Sequence, residues 1–411
     1  MKKKKFSIEL LATFAIFNYP VIIGSIPYVC YAFVYGIPLI YIVFNYGKIR
    51  PFLKKFPISI LRILAWTLLA LLFCIFFPIV HNTNDYSYVN VILGIYRRAL
   101  VCIFLFLLVS KKYQRNEVVE EFMMYYSLAT MMYVFSTVLF IFFPAVKSFW
   151  IAFIQMGKKQ QDLLGSYGYA GRFGWAGFSG FRNTIDCTLS IVFLTYLFAY
   201  KRLSPLRYVI YAFIVFIGNM FYGRSGLLAS VLCVVTGLVL YKKIRIRLIF
   251  EMMITLTLGI VLLSFLREHF PSINEWVRWA TTPFVNFIKT GSFNNYSANR
   301  LLNEMIFIPS RKTMLIGDGL YTDPVSGHAY MRTDSGFMRQ ILFWGVLVTS
   351  TTYFAWLMSL LHMKRDLAFK ILLIIMCILF EIKGEAYYEL MPLFAIIATI
   401  DKSQGIPSMS C

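Results

Sequence analysis

Charge is scarce in this chain. Of 411 residues only 14% are Asp, Glu, Lys or Arg, and 59% are hydrophobic; soluble domains carry roughly 25% charged residues. The composition excludes an ordinary soluble globule. No polar stretch is long enough for a nucleic-acid-binding domain, so the net charge of +21 must be explained otherwise. No C-x-x-C spacing occurs among Cys30, Cys74, Cys102, Cys187, Cys233, Cys377 and Cys411, which lie almost entirely inside apolar runs. That excludes a disulfide framework or a cysteine metal site as the organising device. Phosphate-binding and dinucleotide loops are absent, as are internal repeats, low-complexity tracts and any His/Asp/Glu cluster with metal-ligand spacing. The turn Gly317-Asp318-Gly319 is too short to serve as a nucleotide loop.

What the chain has is apolar runs. A membrane span needs about 20 apolar residues. Twelve candidates lie near 7–25, 27–45, 60–80, 89–109, 122–143, 184–200, 207–222, 225–241, 248–266, 337–361, 368–383 and 386–400. The expected fold is therefore all-α: a single polytopic membrane domain over 1–411 with about 12 transmembrane helices. The basic residues fall between the runs, in Lys48–Lys55, Lys111–Arg115, Lys201–Arg207, Lys242–Arg247 and Lys364–Lys370, whereas His81–Asn90 has no Lys or Arg. Positive charge marks the cytoplasmic side, which puts both termini inside. The opening Met1-Lys2-Lys3-Lys4-Lys5 reads as the anchor of an uncleaved first span, since Glu9 interrupts the run and no small-residue cleavage site follows. A pair of broken, matching half-helices of the kind transporters use is not evident.

Two outward connectors are long: 144–183, and the interval from Arg267 to the start of the tenth run, 267–336. A long loop between tight spans is more often functional than not. Arginine is concentrated there. Arg172 and Arg182 end the first loop, Arg224 tips the short turn Tyr222-Gly223-Arg224-Ser225-Gly226, and Arg300 sits in the large loop. A guanidinium matches phosphate oxygens two at a time and stays charged, so Arg172, Arg224 and Arg300 suit a membrane-anchored phosphate or pyrophosphate. Contact with lipid headgroups, or pairing with Glu268, Glu275 and Glu304, explains each arginine equally well when taken singly. Arg97 and Arg98 lie inside the fourth run, where a charge is usually paired or lines a wet cavity; Asp186 and Glu381 are the available partners. Arg182 and Asp186, four apart, are expected to neutralise each other on one helix face. For proton transfer the candidates are Asp334 and His328, with Asp318, Asp323 and Glu304 behind them; Asp334 could equally be a helix N-cap and His328 a solvated loop histidine. Trp175, Trp276, Trp279, Tyr296 and Tyr330 could stack on sugar rings or anchor the membrane interface.

Four stretches carry a resemblance: Gly171-Arg172-Phe173-Gly174 to Asn183; Gly223-Arg224-Ser225-Gly226-Leu227-Leu228; Asn299-Arg300 through Ile316-Gly317-Asp318-Gly319; and Asp334-Ser335-Gly336-Phe337 leading to Leu342 and Gly345. In order and placement they resemble the O-antigen and capsule repeat-unit polymerases, relatives of the O-antigen ligases. The ligase relatives typically have a histidine where Asp334 stands, which argues for polymerase. The resemblance implies a metal-independent glycosyltransferase, without a cofactor, in the bacterial cytoplasmic membrane with its active site on the outer face. It would move a growing glycan from undecaprenyl pyrophosphate to the non-reducing end of the next lipid-linked repeat unit. Arg172, Arg224 and Arg300 would hold the pyrophosphate, and Asp334 or His328 would take the acceptor's proton. Arg97, Arg98 and Arg182 would bind substrate or support the fold. The family also implies undecaprenyl-linked oligosaccharides, membrane lipid, a chain-length co-polymerase and a flippase as partners, and no nucleic acid. The alternatives are a ligase-type glycan transferase and, from another class, a lipid-oligosaccharide flippase or transporter, whose central-cavity charges could only be Arg97, Arg98, Asp186 and Glu381.

Overall fold

The computed structural model describes residues 6–47, 58–114, 117–164, 172–178, 180–269, 274, 277–278, 281–282, 285–286, 288–289, 291 and 299–404. The chain is mostly helical, as expected of an all-α membrane protein, and a helix lies within each of the twelve apolar runs. Among the described residues five helices are long and apolar enough to cross a membrane: Pro27–Phe44, Ser87–Lys112, Val118–Phe142, Pro205–Tyr222 and Gly336–Leu361. The first run yields less than expected. Its helix is Ile8–Asn18, 11 residues, or about 16 Å, and Tyr19 to Ile26 is irregular. Many leucines, isoleucines and phenylalanines stand exposed, Ile246, Leu258 and Phe354 among them, a surface compatible with lipid rather than water.

The helix starts follow local chemistry. Ser7, Ser204, Ser310 and Asp366 each accept an N–H from the first turn of the helix they precede, and Pro205 opens the Pro205–Tyr222 helix. These caps satisfy donors that a helix leaves open at its start.

The chain parts into two compact units, Met1–Ile40 with Phe104–Ile288, and Tyr41–Ile103 with Lys289–Cys411. In the first unit the Phe181–Ala199 helix is buried at every position from Asn183 to Ala199. It packs against Val118–Phe142, Pro205–Tyr222 and Arg224–Leu240. Thr188, Ser190 and Thr195 return their hydroxyls to the carbonyl four residues back, which lets polar side chains sit in an apolar interior. At one end of this unit, Gly24 N–H donates to the Phe153 carbonyl (3.0 Å) and Gln155 N–H to Ile22 (2.7 Å). At the other, Arg202 faces Glu117 at 3.9 Å.

In the second unit the Gly336–Leu361 helix packs against Ile58–Val80, Arg311–Ile316, Leu367–Lys383 and Tyr387–Gln404. This helix is broken, which the apolar pattern does not announce. Gly345 has φ 82° and ψ 172°, a conformation essentially confined to glycine. The break withdraws helical donors from the Leu342 and Phe343 carbonyls. The tight turn after Arg311–Ile316 supplies replacements: Asp318 N–H donates to Leu342 at 2.7 Å and Gly319 N–H to Phe343 at 3.0 Å. Backbone left unpaired in a span costs several kcal/mol per group, so break and turn depend on each other.

The close approach needs glycine on both sides. A Cβ on Gly317 (φ +67°) would lie 2.4 Å from the Phe343 carbonyl oxygen, and one on Gly345 would lie 2.3 Å from that of Leu315. Gly317→Ala is therefore expected to destabilise the protein by roughly 2–4 kcal/mol and lower its unfolding temperature by several degrees. Gly327→Ala, at a similar φ of +64° but with nothing within 4 Å, should cost only about 1–2 kcal/mol of backbone strain. Thermal unfolding of the two purified variants, followed by tryptophan fluorescence, checks the difference; equal losses would show that the docked turn carries no weight.

Candidate functional site

Two polar centres stand out, one in each unit. In the first unit, half-buried Arg172 precedes a short hairpin that pairs Phe173 with Phe178 and Gly174 with Gly177. Gly174 packs directly on Tyr133, where a Cβ would come within 2.5 Å of the ring. Trp175 donates its ring N–H to the Tyr19 carbonyl (2.8 Å) and its backbone N–H to Ser136 (3.3 Å). Its ring therefore belongs to the packing of the hairpin. Tyr222, two residues before Arg224, hydrogen-bonds Thr137 at 2.8 Å and lies against Tyr133. The hairpin after Arg172 and the turn bearing Arg224 thus share one seat, the Tyr133–Thr137 face of the Val118–Phe142 helix.

Arg224 is the first residue of the Arg224–Leu240 helix, whose N-cap is Gly223 and which has no side-chain cap. Beneath that start lie Thr184 and Asn219. The Thr184 Oγ1 and Asn219 Oδ1 atoms are buried without a hydrogen-bond partner among the described residues. Gly226 approaches Asn219 so closely that a Cβ would sit 2.3 Å from Oδ1, and one on Gly223 would sit 2.9 Å from Thr184 Oγ1. The Asn219 amide nitrogen is fixed by Ser230 (2.7 Å) and Thr188 (3.2 Å). Open N–H groups at a helix start, joined to a guanidinium, favour an anion.

Arg182 donates to the Asn18 carbonyl at 3.1 Å and lies 3.9 Å from Asp186, its partner four residues on. Asp186, 2% exposed, also accepts the Tyr126 hydroxyl. In the second unit Arg98 lies 3.7 Å from Glu389, a residue the spacing of the runs could not single out. Arg97, exposed, donates to the Asn90 carbonyl at 2.9 Å.

The second unit gathers the acid–base candidates differently from the sequence reading. Asp334 is exposed and is not the cap: Ser335 is the N-cap of Gly336–Leu361, and no side chain bonds there. The loop geometry puts Asp334 one residue too early. Thr333 Oγ1 donates to the Met305 carbonyl at 2.7 Å, tying the Asp334 segment to the π-turn Leu301–Met305. Arg300 opens that turn and faces Glu304 at 3.5 Å on the surface. Exposed His328 belongs to a closed turn in which Asp323 N–H donates to the His328 carbonyl (2.8 Å), and Asp323 Oδ1 accepts Val325 and Ser326 N–H. The Ser326 amide is the main reason that the Asp323 carboxyl lies below its usual value. Asp318 accepts Thr313 Oγ1 (2.9 Å) and the Tyr330 hydroxyl (3.3 Å), and burial, then the Asp318 charge, push the Tyr330 hydroxyl up. Trp276, Trp279, Tyr296 and Glu275 lie outside the described residues.

The residues that the sequence reading missed are Arg339, Glu385 and Tyr321. Arg339 lies 3.4 Å from Glu385 and stacks over the Tyr321 ring at 3.8 Å from its centroid. Tyr321 donates its hydroxyl to Glu385, and its other neighbour is Tyr88, stacked at 4.4 Å. Asp85 fixes this loop by accepting Tyr321 and Thr322 N–H, each at 2.6 Å. Burial pushes the Glu385 carboxyl up, partly offset by Arg339, and burial with the Glu385 charge pushes the Tyr321 hydroxyl well up. Behind them Glu381 accepts the N–H groups of Ala386 (2.7 Å) and Tyr387 (2.6 Å) and the Tyr353 hydroxyl (2.7 Å). It caps the last helix from the preceding one. One signal for Glu385 was present: Gly384-Glu385-Ala386 joins two apolar runs with no room for a solvated loop.

Among the described residues no group of three His, Cys, Asp or Glu side chains could hold a metal ion. Compared with known protein families, curated proteins and solved structures, the chain matches none.

The Asp323 carboxyl is held low, so its stabilisation is full above the unfolded value of about 3.9 and is lost as pH falls through the lower folded value. Asp323→Asn should unfold at a lower temperature than wild type at neutral pH, and the gap should close on acidification below about pH 3.9. A gap that stays constant with pH would contradict the charge as its source.

Proposed function

We propose that this protein is a polymerase of lipid-linked oligosaccharide repeat units, acting at the outer face of a bacterial cytoplasmic membrane with both termini inside. The growing glycan leaves its undecaprenyl-pyrophosphate carrier and joins the non-reducing end of the next lipid-linked unit, as in the family that the four motifs resemble. Arg172, Arg224 and Arg300 hold the donor pyrophosphate and stabilise charge as the anomeric bond breaks. Asp334 accepts the proton of the acceptor hydroxyl, with His328 the less favoured base. A pyrophosphate already leaves well, so the chemistry asks for anion binding and one proton acceptor.

The observation that carries this reading is the start of the Arg224–Leu240 helix. It joins a guanidinium, an uncapped helix N-terminus and the open Thr184 hydroxyl, the complement of a phosphate oxygen. The exposure of Asp334 suits a base that must meet an incoming substrate. The alternation of twelve crossings draws support from connectors of like side that touch: Glu117 with Arg202 on the basic side, and Tyr19 with Trp175 on the other. A chain-length co-polymerase and a flippase are the partners such a reaction requires.

Arg224→Ala and Arg300→Ala are each expected to replace long polymer with lipid-linked single repeats and short chains, a fall of at least about 100-fold in chain extension. Carbohydrate profiling beside immunodetection of the protein reads the outcome. Normal polymer length at normal abundance would sink these roles. Long lipid-linked polymer left unattached would point to a ligase, and accumulation of unflipped repeat units to a flippase.

A further inference from the structure

The arginine at the centre of the second unit differs from the three assigned to pyrophosphate. Arg339 is held from two directions, by Glu385 and by the Tyr321 ring, and its side chain keeps 20% of its surface exposed while that of Glu385 keeps 3%. A fixed guanidinium loses little freedom on binding a ligand. The charges facing it are the Glu385 carboxylate directly and, more remotely, that of Asp334. The guanidinium is thus already answered by a carboxylate 3.4 Å away. A phosphate would satisfy the guanidinium and be repelled by the Glu385 carboxylate beside it.

Three buried polar atoms here have no hydrogen-bond partner among the described residues: Ser335 Oγ, Arg339 Nε and Glu385 Oε1. They are neighbours. Ser335 and Arg339 are one helical turn apart, joined by the Arg339 N–H to the Ser335 carbonyl at 2.9 Å. Gly336 between them lies so close to the last connector that a Cβ would meet the Gly384 carbonyl at 2.6 Å and the Glu385 Cα at 3.1 Å. Together the three atoms offer a donor, an acceptor and a hydroxyl able to be either. That set is met by neutral hydroxyl groups, each of which donates and accepts, and only half met by an anion. Burial makes the mismatch costly, since each unmet polar atom forfeits its desolvation energy.

The geometry points to Ser335, Arg339 and Glu385 as a subsite for the hydroxyl groups of a sugar ring, with Tyr321 and Asp85 as positioning residues that keep Arg339 in place. This deepens the polymerase reading and rests on it in one respect: the sugar bound here is that of the acceptor repeat unit, whose hydroxyl faces the base, and not the donor's pyrophosphate.

The test separates sugar from anion and binding from turnover. Lipid-linked repeat units extracted from a strain lacking the protein provide the substrate. Mild acid cleaves their anomeric phosphate bond and yields the free oligosaccharide, one probe; inorganic pyrophosphate is the other. Binding of each probe to the purified full-length protein is followed by tryptophan fluorescence. Arg339→Lys keeps the charge but removes the fork, and Glu385→Gln keeps an acceptor for Tyr321. Both are expected to bind the oligosaccharide about tenfold or more weakly with pyrophosphate affinity unchanged, whereas Arg224→Ala should do the reverse. Tyr321→Phe, which keeps the ring under Arg339, should bind oligosaccharide within about threefold of wild type if the stack does the positioning.

Unchanged oligosaccharide binding in Arg339→Lys and Glu385→Gln, at wild-type unfolding temperature, would overturn the subsite; so would a loss confined to pyrophosphate. Should either variant unfold early, the wild type decides: failure to bind the free oligosaccharide at all also overturns it. Wild type that binds the oligosaccharide but does not extend the lipid-linked units would leave the subsite standing and remove the polymerase reading.

Discussion

The second unit is built on an exchange of backbone hydrogen bonds. Gly345 turns out of the helix, and the Leu342 and Phe343 carbonyls so released are taken by the amides of Asp318 and Gly319. In lipid no water would take them instead. The polar loop is thereby tied to the body of a helix long enough to span, and its path is fixed from Ile316 onward. The Thr83 hydroxyl reaches the Gly319 carbonyl at 2.7 Å, and the Asp85 carboxylate holds Tyr321 and Thr322. Tyr321 arrives under Arg339 because of these tethers. Loosen the turn at Gly317 and the stack that fixes the guanidinium loses its floor.

Polar atoms in the two units are treated in contrasting ways. Most are satisfied by near neighbours: hydroxyls return to their own helix, tyrosines donate to carboxylates, and Glu381 closes the start of the next helix. Among the exceptions are Thr184 and Asn219 beneath Arg224, and Ser335, Arg339 and Glu385 side by side. Native interiors leave few buried polar atoms unmet, so these two groups are informative. Their chemistry differs. The first place joins a guanidinium and a helix start to a hydroxyl and an amide oxygen; the second sets a guanidinium against the Glu385 carboxylate. An anion suits the former and a neutral polyol the latter, and a glycosyl transfer from a pyrophosphate carrier asks for both.

Sequence reading finds the partners of the arginines unevenly. Arg182 with Asp186 and Arg300 with Glu304 sit four residues apart, so helical spacing alone joins them. Arg98 with Glu389 and Arg339 with Glu385 come from distant runs, and no local rule could prefer Glu389 over Asp186 or Glu381. Asp334 looked like a cap because it precedes an apolar run, yet the helix begins one residue later. Arg339 lies inside the helix with its head against a carboxylate, a placement that no local pattern marks.

By itself the sequence determined the helical class, the places where helices occur, and the concentration of arginine in the connectors. Those properties follow from hydrophobicity and charge taken a few residues at a time. It also determined that Gly317 and Gly345 could adopt backbone shapes closed to other residues, without saying that they would. Tertiary structure alone decided that the Gly336–Leu361 helix breaks, that a loop heals the break, and which acid answers each buried arginine. These are matters of long-range packing. A buried charge is stabilised by whatever partner the fold brings within a few ångströms, and the distance along the chain does not enter that energy.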